Sequence, residues 1–546
     1  MRACFVRVFV CMLVCILGHG SVSLSQNVTS LFEDKDLGLN MAQTCNFTRY
    51  PGLCIQTLTS GRGELQFRNG FLRELVKSTV HEIRKLSSIM SQSSQAGKLE
   101  NPKSHDKTTD YCVELLHLSL KRLHQSLSAL NAATTHPNAL DIQTWLSAVL
   151  SFLDGCNDAL NIHISNSIHD PSAVHNPTSV SHVSSLASNA LAVANRLPKK
   201  RREKGRRLLV DGDFPSWLTE TERRLLQAPE IAADAVVAQD GTGNFLTVSE
   251  ALDKAPGDRR YVIHVKAGIY KERIVTAKDG ITLIGDGKAA TIVTGSRSVG
   301  GGSTMPESAT FAVIGDGFIA RDIGFQNSAG PSAGQALAVR VLSDHSVFYR
   351  CNLIGYQDTL YAMALRQFYR ECDVYGTIDF IFGNAAAVFQ SCNLYLRLPA
   401  TKENVILANG RNDPCQNTGF SVHNCRIAAA SDLFPVRNSI RSYLGRPWKK
   451  YSRSVVMESS IDGIINPKGW QQWEGSFALK TLYFGEYRNQ GPGSGTAGRV
   501  RWPGVHELAS EEAEKFTVGS FISGTTWLPS TGVAFQAGLG GSEGSG

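Results

Sequence analysis

The apolar residues of the chain follow two different patterns, and one gives way to the other near residue 226. From about Leu37 to Asn195 they recur at helical intervals, and within segment 111–130 they fall at i, i+3 and i+4. Segments 143–160 and 180–197 repeat this pattern, with Ser and Asn between the apolar positions. These amphipathic stretches predict an all-α, antiparallel four-helix bundle. The bundle carries no carboxylate cluster, nucleophile–base pair or phosphate loop, which favours a role in interaction.

Beyond Gln227 the chain consists of short β-rich runs separated by Gly, Asn and Asp. Four runs align on a cysteine, at intervals of 21, 20 and 33 residues: Cys351, Cys372, Cys392 and Cys425. A repeat of about 20 residues without a crossover helix is typical of a stacked solenoid. The pattern predicts an all-β, right-handed parallel β-helix with a loop inserted in the last interval. A sandwich of antiparallel hairpins is the alternative, but the two-residue turns that it favours are scarce.

The N-terminus has the pattern of a secretory signal peptide. Two arginines precede the apolar run Val8–Leu17 and small residues follow it, so removal is predicted near Ser25. A signal anchor is the alternative, but a membrane span needs about 20 apolar residues and this run is shorter. We therefore expect a secreted, extracellular protein, in which Asn27 and Asn46 are the predicted glycosylation sites.

The distribution of charge indicates a basic linker between the helical half and the β-rich half. The 546 residues carry 55 basic and 48 acidic side chains, a net charge of +7. Segment 196–207 contains eight basic residues and one acidic residue, so the rest of the chain sums to zero. A basic run can indicate nuclear import or nucleic-acid binding, but a signal peptide argues against both. In a secreted protein the pairs Arg206-Arg207 and Arg223-Arg224 predict proprotein cleavage instead.

One set of polar residues in the second half has the spacing of a catalytic site: Gln335, Gln357, Asp358 and Asp379. Their separations of 22, 1 and 21 residues bring them onto three adjacent rungs of a β-helix, which lie about 4.8 Å apart. Two carboxylates that close cannot both ionise readily, so one pKa is expected to rise and the other to fall. The two amides could stabilise a developing oxyanion. A ladder of polar side chains without catalytic function is the alternative.

Arg446 and Trp448 complete the candidate site. The arginine could pair with an ionised carboxylate, and the indole could offer an apolar face to a sugar ring. A Ser-His-Asp hydrolase is not expected, because none of the four histidines beyond Gln227 lies in the set. The chain has no CxxC motif, and neither a metal nor another cofactor is predicted.

Five motifs of the second half resemble a known enzyme family. They are Gly268-Ile-Tyr-Lys-Glu272, Gln335-Ala-Leu-Ala-Val339, Gly355-Tyr-Gln-Asp-Thr-Leu-Tyr361, Tyr375-Gly-Thr-Ile-Asp-Phe-Ile-Phe-Gly383 and Leu444-Gly-Arg-Pro-Trp448. In this order they resemble the plant pectin methylesterases, or pectinesterases. In the first half, the segment from Cys45 to Cys54 and the surroundings of Cys112 and Cys156 resemble the inhibitor domain that precedes the longer members of the family.

The resemblance implies a role for each candidate residue. Asp379 matches the nucleophile, Asp358 the general acid and base, and Gln357 the oxyanion stabiliser. The other members match substrate contacts and the partner of the nucleophile: Gln335 and Trp448, and Arg446. The family also has three disulfides that match cysteines of this chain: Cys45–Cys54, Cys112–Cys156 and Cys372–Cys392. Three positions depart from the family: Met305 stands where Thr is usual, Cys415 where Asn is usual, and Asn409 where Gln is common.

The function that follows from the resemblance is hydrolysis of the methyl esters of pectin (homogalacturonan) to carboxylates and methanol in the cell wall. The implied segments are a signal peptide (1–25), a helical inhibitor-like prodomain (26–195), a basic linker with processing sites (196–226), the pectinesterase domain (227–535) and a Gly/Ser-rich tail (536–546). The expected partners are methyl-esterified pectin, a processing protease and inhibitor proteins of the same family, without nucleic acid or a membrane. The prodomain is expected to hold the enzyme inactive before cleavage.

Two other functions remain open at this point. The uncut chain could be an interaction protein whose bundle silences a different pectinesterase. The β-helix could instead be a pectin lyase or a glycosidase, but the calcium-binding carboxylates of a lyase and the further cleft carboxylates of a glycosidase are not found.

Overall fold

The computed structural model describes residues 41–60, 68–100, 107–132, 139–166, 177–197 and 232–540. The predicted signal peptide, Asn27 and the two predicted cleavage sites at Arg206-Arg207 and Arg223-Arg224 lie outside these residues. Within them, no helix is both long enough and apolar enough to cross a membrane.

The first domain is a bundle of four long helices preceded by a short one, which confirms the all-α prediction. The helices are α1 (Pro51–Ser60), α2 (Arg68–Glu100), α3 (Lys107–Asn131), α4 (Ala139–Asn166) and α5 (Pro177–Ala194). The structure contains the disulfide Cys45–Cys54 at the start of the domain, and Cys112–Cys156, which joins α3 to α4. Asn46 is exposed on the segment before α1.

The second domain is a parallel β-helix built from three sheets, as predicted. Sheet A has eleven strands: β1 (Ala235–Val237), β2 (Tyr261–Val265), β5 (Ile281–Gly285), β8 (Ile319–Arg321), β11 (Ser346–Tyr349), β14 (Arg366–Arg370), β17 (Ala386–Gln390), β20 (Gly419–His423), β23 (Arg453–Met457), β25 (Tyr483–Tyr487) and β26 (Val505–Glu507). Sheet B has eight: β3 (Gly268–Lys271), β6 (Thr291–Gly295), β9 (Gly324–Asn327), β12 (Asn352–Ile354), β15 (Asp373–Gly376), β18 (Asn393–Leu396), β21 (Arg426–Ala429) and β24 (Ser460–Ile461).

Sheet C has seven strands: β4 (Ile274–Thr276), β7 (Phe311–Val313), β10 (Val339–Val341), β13 (Leu360–Ala362), β16 (Ile381–Gly383), β19 (Glu403–Asn409) and β22 (Arg441–Gly445). Short helices flank the β-helix at Val248–Lys254, Ser510–Ala513, Val518–Phe521 and Gly524–Trp527. Four 3-10 turns complete the domain at Pro306–Ser308, Phe434–Ser439, Glu514–Phe516 and Leu528–Thr531. The interior between the sheets is filled by stacked rings, among them Phe348, Tyr369 and Phe389, whose centroids lie 5.0 and 4.5 Å apart.

The cysteines that revealed the repeat lie buried inside the β-helix, but the structure does not contain the Cys372–Cys392 disulfide that the resemblance implied. Both side chains are held by main-chain contacts instead: Cys372 Sγ lies 3.3 Å from Phe348 O, and Cys392 Sγ lies 3.4 Å from Tyr369 O. Because equivalent residues of adjacent parallel rungs point in the same direction, the two thiols lie next to each other on neighbouring rungs and interact without a covalent bond. Cys351, Cys415 and Cys425 likewise form no disulfide in the structure.

The bundle packs on the outer face of sheet C. Its apolar residues share one buried cluster with outward side chains of four strands, among them Ala312, Tyr361, Phe382 and Ala408. Gly155 of α4 marks the closest approach, since a Cβ there would lie 2.8 Å from Met363 Cε and 3.2 Å from Leu115 Cδ1. The helical domain and the enzyme-like domain therefore bury a common apolar surface.

The C-terminal segment also packs on the β-helix. Gln536, predicted as the first residue of a Gly/Ser-rich tail, exchanges hydrogen bonds of 2.8 and 2.9 Å with Gln390. Gly540 N donates to Glu458 Oε2 at 2.9 Å. Residues 536–540 thus continue the folded domain past the predicted boundary, because buried polar side chains of sheet A need these main-chain partners.

Candidate active site

The two aspartates singled out by their spacing occupy equivalent positions on adjacent rungs. Asp358 precedes β13 and Asp379 precedes β16, and these strands pair with Leu360 opposite Ile381. Both aspartates have left-handed backbones, with φ of 62° and 49°. Asp is one of the few residues with a side chain that tolerates this conformation, and strained backbone of this kind is concentrated at functional sites. The side chains are 8% and 6% exposed.

Arg446 holds one carboxylate of the pair. Its Nε donates to Asp379 Oδ1 at 2.8 Å and its Nη2 to Asp379 Oδ2 at 2.5 Å, a bidentate pair that fixes the orientation of the carboxylate. The guanidinium in turn lies 4.4 Å from the ring of Trp473. In the described part of the chain no side chain donates a hydrogen bond to the carboxyl group of Asp358. The two carboxyl groups therefore have different partners, although the two residues occupy equivalent backbone positions on adjacent rungs.

Burial and charge act differently on the two acids. Burial raises the pKa of Asp358 well above its ordinary value, and the neighbouring charge of Asp379 adds to the rise. Burial also raises the pKa of Asp379, but the hydrogen bonds and charge of Arg446 oppose that rise. The expectation that one pKa would fall is therefore wrong, because loss of solvent outweighs the arginine. The order remains: Asp358 keeps its proton to higher pH than Asp379.

The two glutamines lie beside this pair. Ala336 N donates to Gln357 O at 3.2 Å, and Asp358 N donates to Ile378 O at 3.0 Å, so the segments that carry Gln335, Gln357 and Asp379 follow one another on three rungs. Both glutamine side chains are partly exposed. Neither amide has a hydrogen-bond partner among the described residues, which leaves both free to donate to a reactant.

An aromatic surface extends from the aspartates along sheet C. Tyr361 and Phe382 stack with ring centroids 4.4 Å apart, and Trp448 meets Phe382 edge-on at 5.8 Å. Gly410 makes room for the indole, since a Cβ at that position would lie 2.7 Å from Trp448 Cε3. Trp448 and two neighbouring rings thus form one aromatic surface on sheet C, and its contact with a sugar ring stays a prediction.

The bundle covers this aromatic surface. Tyr361, Phe382 and Trp448 belong to the apolar cluster shared with α3 and α4, and Met305 packs against the same cluster. Tyr111 OH of α3 lies 3.7 Å from Met363 Sδ, and Ser151 Oγ of α4 lies 3.4 Å from Asn384 O. Met305, the position that departs from the family, is therefore part of the contact between the domains.

Ion pairs hold the bundle at the rim of this contact. Arg122 of α3 is fully buried and forms a bidentate pair with Asp316, with both distances 2.7 Å. Glu114 pairs with Arg340 at 2.9 Å. On the other side Asp141 pairs with Arg366 at 2.6 Å. Buried pairs of this kind impose one docking geometry, because removal of a partner leaves an uncompensated charge.

A second pair of aspartates was missed from the sequence. Asp158 of α4 accepts from Lys449 Nζ at 2.5 Å, and Asp154, one turn earlier, accepts from Asn412 Nδ2 at 3.2 Å. Burial and the charge of Asp158 raise the pKa of Asp154 to about 7. The spacing of i and i+4 on an amphipathic helix is a weak signal, since most such pairs face solvent. Trp473 was missed as well, because it lies outside the rung register.

Other reactive groups are scarce within the described residues. No group of three His, Cys, Asp or Glu side chains there could hold a metal ion. The candidate site is therefore built from two acids, two amides, one arginine and an aromatic surface. This set can attack an ester carbonyl, stabilise an oxyanion and move a proton.

Comparisons with known proteins agree with both domains. Residues 234–525 match the family model "Pectinesterase", and residues 40–193 match "Plant invertase/pectin methylesterase inhibitor". Pectinesterase 2 of Citrus sinensis is 49% identical over 432 residues, which cover 78% of this chain and 81% of that protein. The pectinesterase/pectinesterase inhibitor of Ficus pumila var. awkeotsang is 42% identical over 532 residues, 95% of either chain. The solved pectin methylesterase from carrot is 51% identical, with a TM-score of 0.56, and 57% of this chain covers 100% of it.

Proposed function

Because the chain belongs to the pectinesterase family and carries an inhibitor-type helical domain ahead of its β-helix, we propose that Asp379 and Asp358 hydrolyse the methyl esters of homogalacturonan, the uronic acid polymer of pectin. The chain is a carboxylic ester hydrolase. The observation that carries the assignment of roles is the bidentate contact of Arg446 with Asp379, while Asp358 is in no ion pair with any residue that the structure describes.

Asp379 is the nucleophile in this proposal. Arg446 keeps its carboxylate ionised and aimed, and an Asp379 oxygen adds to the ester carbonyl carbon to form a tetrahedral intermediate. The negative charge on the former carbonyl oxygen is stabilised by the amide of Gln357, which has no other partner among the described residues. Gln335, one rung away, contacts the substrate, and Trp448 supports the sugar ring.

Asp358 acts first as an acid and then as a base. Its raised pKa keeps it protonated, so it gives its proton to the methoxide oxygen as the C–O bond breaks and methanol leaves. The resulting Asp358 carboxylate takes a proton from water, whose oxygen attacks the acyl–Asp379 anhydride. Cleavage of the acyl–oxygen bond to Asp379 releases a galacturonic acid group, which loses its proton to solvent, and leaves Asp379 again ionised and Asp358 again protonated. Two smaller barriers replace one larger barrier.

The helical domain is proposed to keep this enzyme inactive until the linker is cut. The bundle occupies the aromatic surface next to Asp358 and Asp379, where the sugar ring would lie. The ion pairs of Arg122, Glu114 and Asp141 with the β-helix support a defined closed state. Cleavage at Arg206-Arg207 or Arg223-Arg224 by a processing protease would cut the covalent link between the two domains. Secretion to the cell wall belongs to the same proposal and rests on residues 1–25.

Methanol release from methylated pectin tests the proposal. The chain from Gln227 onward is a sound reagent, because 57% of this chain matches the whole of the solved carrot chain and the β-helix has its own core. It should release methanol, and Asp379→Ala should lower the rate by about 10⁴-fold or more. Asp322→Asn is the matched control, since Asp322 also has a left-handed backbone (φ 55°) and a bidentate arginine, Arg350 at 2.6–2.7 Å.

Three outcomes separate the hypotheses. Full activity of Asp379→Ala would overturn the assigned nucleophile. If the wild-type β-helix released no methanol, the alternative in which the chain acts as an interaction protein would be favoured. Equal activity of the full chain and the β-helix would overturn inhibition by the bundle.

A further inference from the structure

One arginine on the turn between sheets B and C contacts the two preceding turns, each of which carries one aspartate of the proposed catalytic pair. We propose that Arg397 is a positioning residue: it holds segment 355–357 so that the amide of Gln357 is aimed at the oxyanion. The inference rests on the proposed function and adds to it a residue that controls kcat without touching the substrate.

The turn that carries Gln357 is closed tightly at its base. Turn 355–359 joins β12 to β13 and also carries Asp358. A Cβ on Gly355 would lie 2.6 Å from Thr359 Oγ1, so only glycine allows this closure. Asp358 N donates to the main chain of the next rung at 3.0 Å, which anchors the second half of the turn. The β-helix therefore fixes Asp358, whereas the side chain of Gln357 has no partner in the described part of the chain.

Arg397 holds the first half of this turn from two rungs away. Its Nη1 donates to Gly355 O at 3.2 Å and its Nη2 to Tyr356 OH at 2.6 Å. The guanidinium also lies over the Tyr356 ring, with its Cζ 3.8 Å from the ring centroid. Charge-assisted hydrogen bonds and a stacked cation are among the stronger contacts that a partly exposed side chain can make. The two residues that precede Gln357 are thus held by a single side chain.

Arg397 is itself anchored in the β-helix. Its N donates to Gly376 O at 2.8 Å, at the start of the turn that carries Asp379. The fully buried Asn404 donates its Nδ2 to Arg397 O at 3.0 Å, and Arg397 Nε donates to Asp432 Oδ2 at 3.1 Å. The main chain of Arg397 therefore bonds to one catalytic turn while its side chain reaches the other.

These contacts should matter in the transition state and not in substrate binding. Gln357 stabilises negative charge that develops only when the ester carbonyl carbon becomes tetrahedral. A displacement of about 1 Å in a catalytic group can lower a rate by about 10²-fold. Loss of Arg397 should therefore lower kcat and leave KM nearly unchanged.

Steady-state methanol release by variants of the β-helix measures this effect. Arg397→Met should lower kcat by about 10–100-fold, with KM within about twofold of the wild type. Arg397→Lys keeps the charge but not the fork that reaches two acceptors, so it should recover about three- to tenfold of the loss. Arg350→Met is the matched control, because Arg350 also lies over a tyrosine, 4.6 Å from the ring of Tyr349, and pairs with Asp322 on the turn between sheets A and B. Its kcat should equal that of the wild type.

A double-mutant cycle separates the aim of Gln357 from a general effect on stability. Gln357→Ala alone should lower kcat by about 10²–10³-fold. Addition of Arg397→Met to Gln357→Ala should lower kcat by less than about twofold further, because no amide remains to be aimed. A purely structural role would instead lower kcat by the same factor in both backgrounds.

Hydrogen exchange of the main chain gives a readout that does not depend on catalysis. Amides of residues 355–359 should exchange about tenfold faster in Arg397→Met than in the wild type, because local opening sets the exchange rate. Amides around Asp322 should exchange as in the wild type.

The outcomes for Arg397 differ from those that test the esterase. If the wild-type β-helix is active, the positioning role would be overturned by a kcat of Arg397→Met within twofold of the wild type, by an equal loss in Arg350→Met, or by independent losses in the double variant. Unchanged exchange of residues 355–359 would overturn the claim that Arg397 holds the turn. If the wild-type β-helix released no methanol, the proposed function itself would be overturned, and with it the role of Arg397 in catalysis.

Discussion

Two pairs of aspartates lie around the same short segment, residues 446–449, one pair from the β-helix and the other from the bundle, and one member of each pair contacts it. In each pair one carboxylate takes the cation: Asp379 binds Arg446 and Asp158 binds Lys449. The second member, Asp358 or Asp154, forms no ion pair within the described part of the chain and has a raised pKa. The electrostatic arrangement is thus nearly the same in the two regions.

The two pairs differ in what holds their members. Asp358 and Asp379 stand on adjacent rungs whose strands are hydrogen-bonded, and Arg446 lies on the same domain. Asp154 and Asp158 stand one turn apart on α4, and their partners lie on a different domain. A fixed pair can act on a reactant that enters between its members, as catalysis requires. A pair whose partners, Lys449 and Asn412, lie on a domain that can separate responds instead to binding and release of the bundle.

After loss of the nucleophile itself, the largest expected effect comes from the uncharged acid of the fixed pair, Asp358. Asp358→Asn keeps the shape of the side chain but cannot donate a proton to methanol or take one from water. Methanol release by the β-helix should fall by about 10²–10⁴-fold. Steady-state rates on methylated pectin check this, with Asp322→Asn as the folded control. A rate within twofold of the wild type would remove Asp358 from the mechanism.

The next effect concerns the cation of the fixed pair and appears in the pH profile. Asp379 must be ionised to attack, and Arg446 opposes the rise of its pKa that burial causes. Arg446→Met removes that opposition, so the acid limb of kcat/KM should move to higher pH by about 1–3 units. Activity is then lost first at low pH. An acid limb that stays in place would mean that Arg446 serves only substrate binding or packing.

Most of the fold, and the composition of the fixed pair, could be predicted from the sequence because a β-helix converts sequence intervals into distances. The interval of 21 residues between Asp358 and Asp379 is the rung register itself. The pair on the bundle, Asp154 and Asp158, is called the separable pair below. It could not be found from the sequence in this way, because Asp158 and its partner Lys449 are 291 residues apart and meet only when the bundle docks. Trp473, which stacks on Arg446, likewise belongs to a loop without a repeat.

The prediction for the pKa values of the two aspartates was wrong because they depend on how much solvent reaches the site. A rung spacing predicts that one acid gains and the other loses affinity for protons, but it does not say how dry the site is. Burial raises the pKa of both aspartates. The family resemblance likewise implied a disulfide that the structure does not contain, although the rung register does place Cys372 next to Cys392.

The third prediction uses the separable pair as a pH sensor. Asp154 has a pKa of about 7 when docked, and a carboxyl group without this burial titrates near 3.8. Its contribution to docking is complete below the lower value and is lost as the pH rises through about 7. Methanol release by the full chain, divided by that of the β-helix at the same pH, should therefore rise about tenfold between about pH 5 and pH 7.5.

The variant Asp154→Asn isolates this group from the others at the contact. Asp158, Asp413, Lys449 and the amide of Asn412 surround the carboxyl group and remain in place. Asparagine cannot titrate, so the activity ratio of Asp154→Asn should be flat over the same pH range. A ratio that still rises as steeply as in the wild type would assign the pH dependence to another group.

The smallest effect is expected from the charged member of the separable pair. Asp158 and Lys449 are both partly exposed, and ion pairs with solvent access contribute little. Asp158→Asn in the full chain should raise residual methanol release by about two- to fivefold at constant pH, and high salt should reduce the difference. Glu74→Gln is the matched control, since Glu74 pairs with Lys77 at 2.8 Å within α2. Removing Asp158 lowers the affinity of the bundle for Lys449, but the apolar cluster and the buried pair of Arg122 with Asp316 remain. If Asp158→Asn raised methanol release as much as cutting the linker does, this one exposed contact, and not the shared core, would hold the bundle on the enzyme.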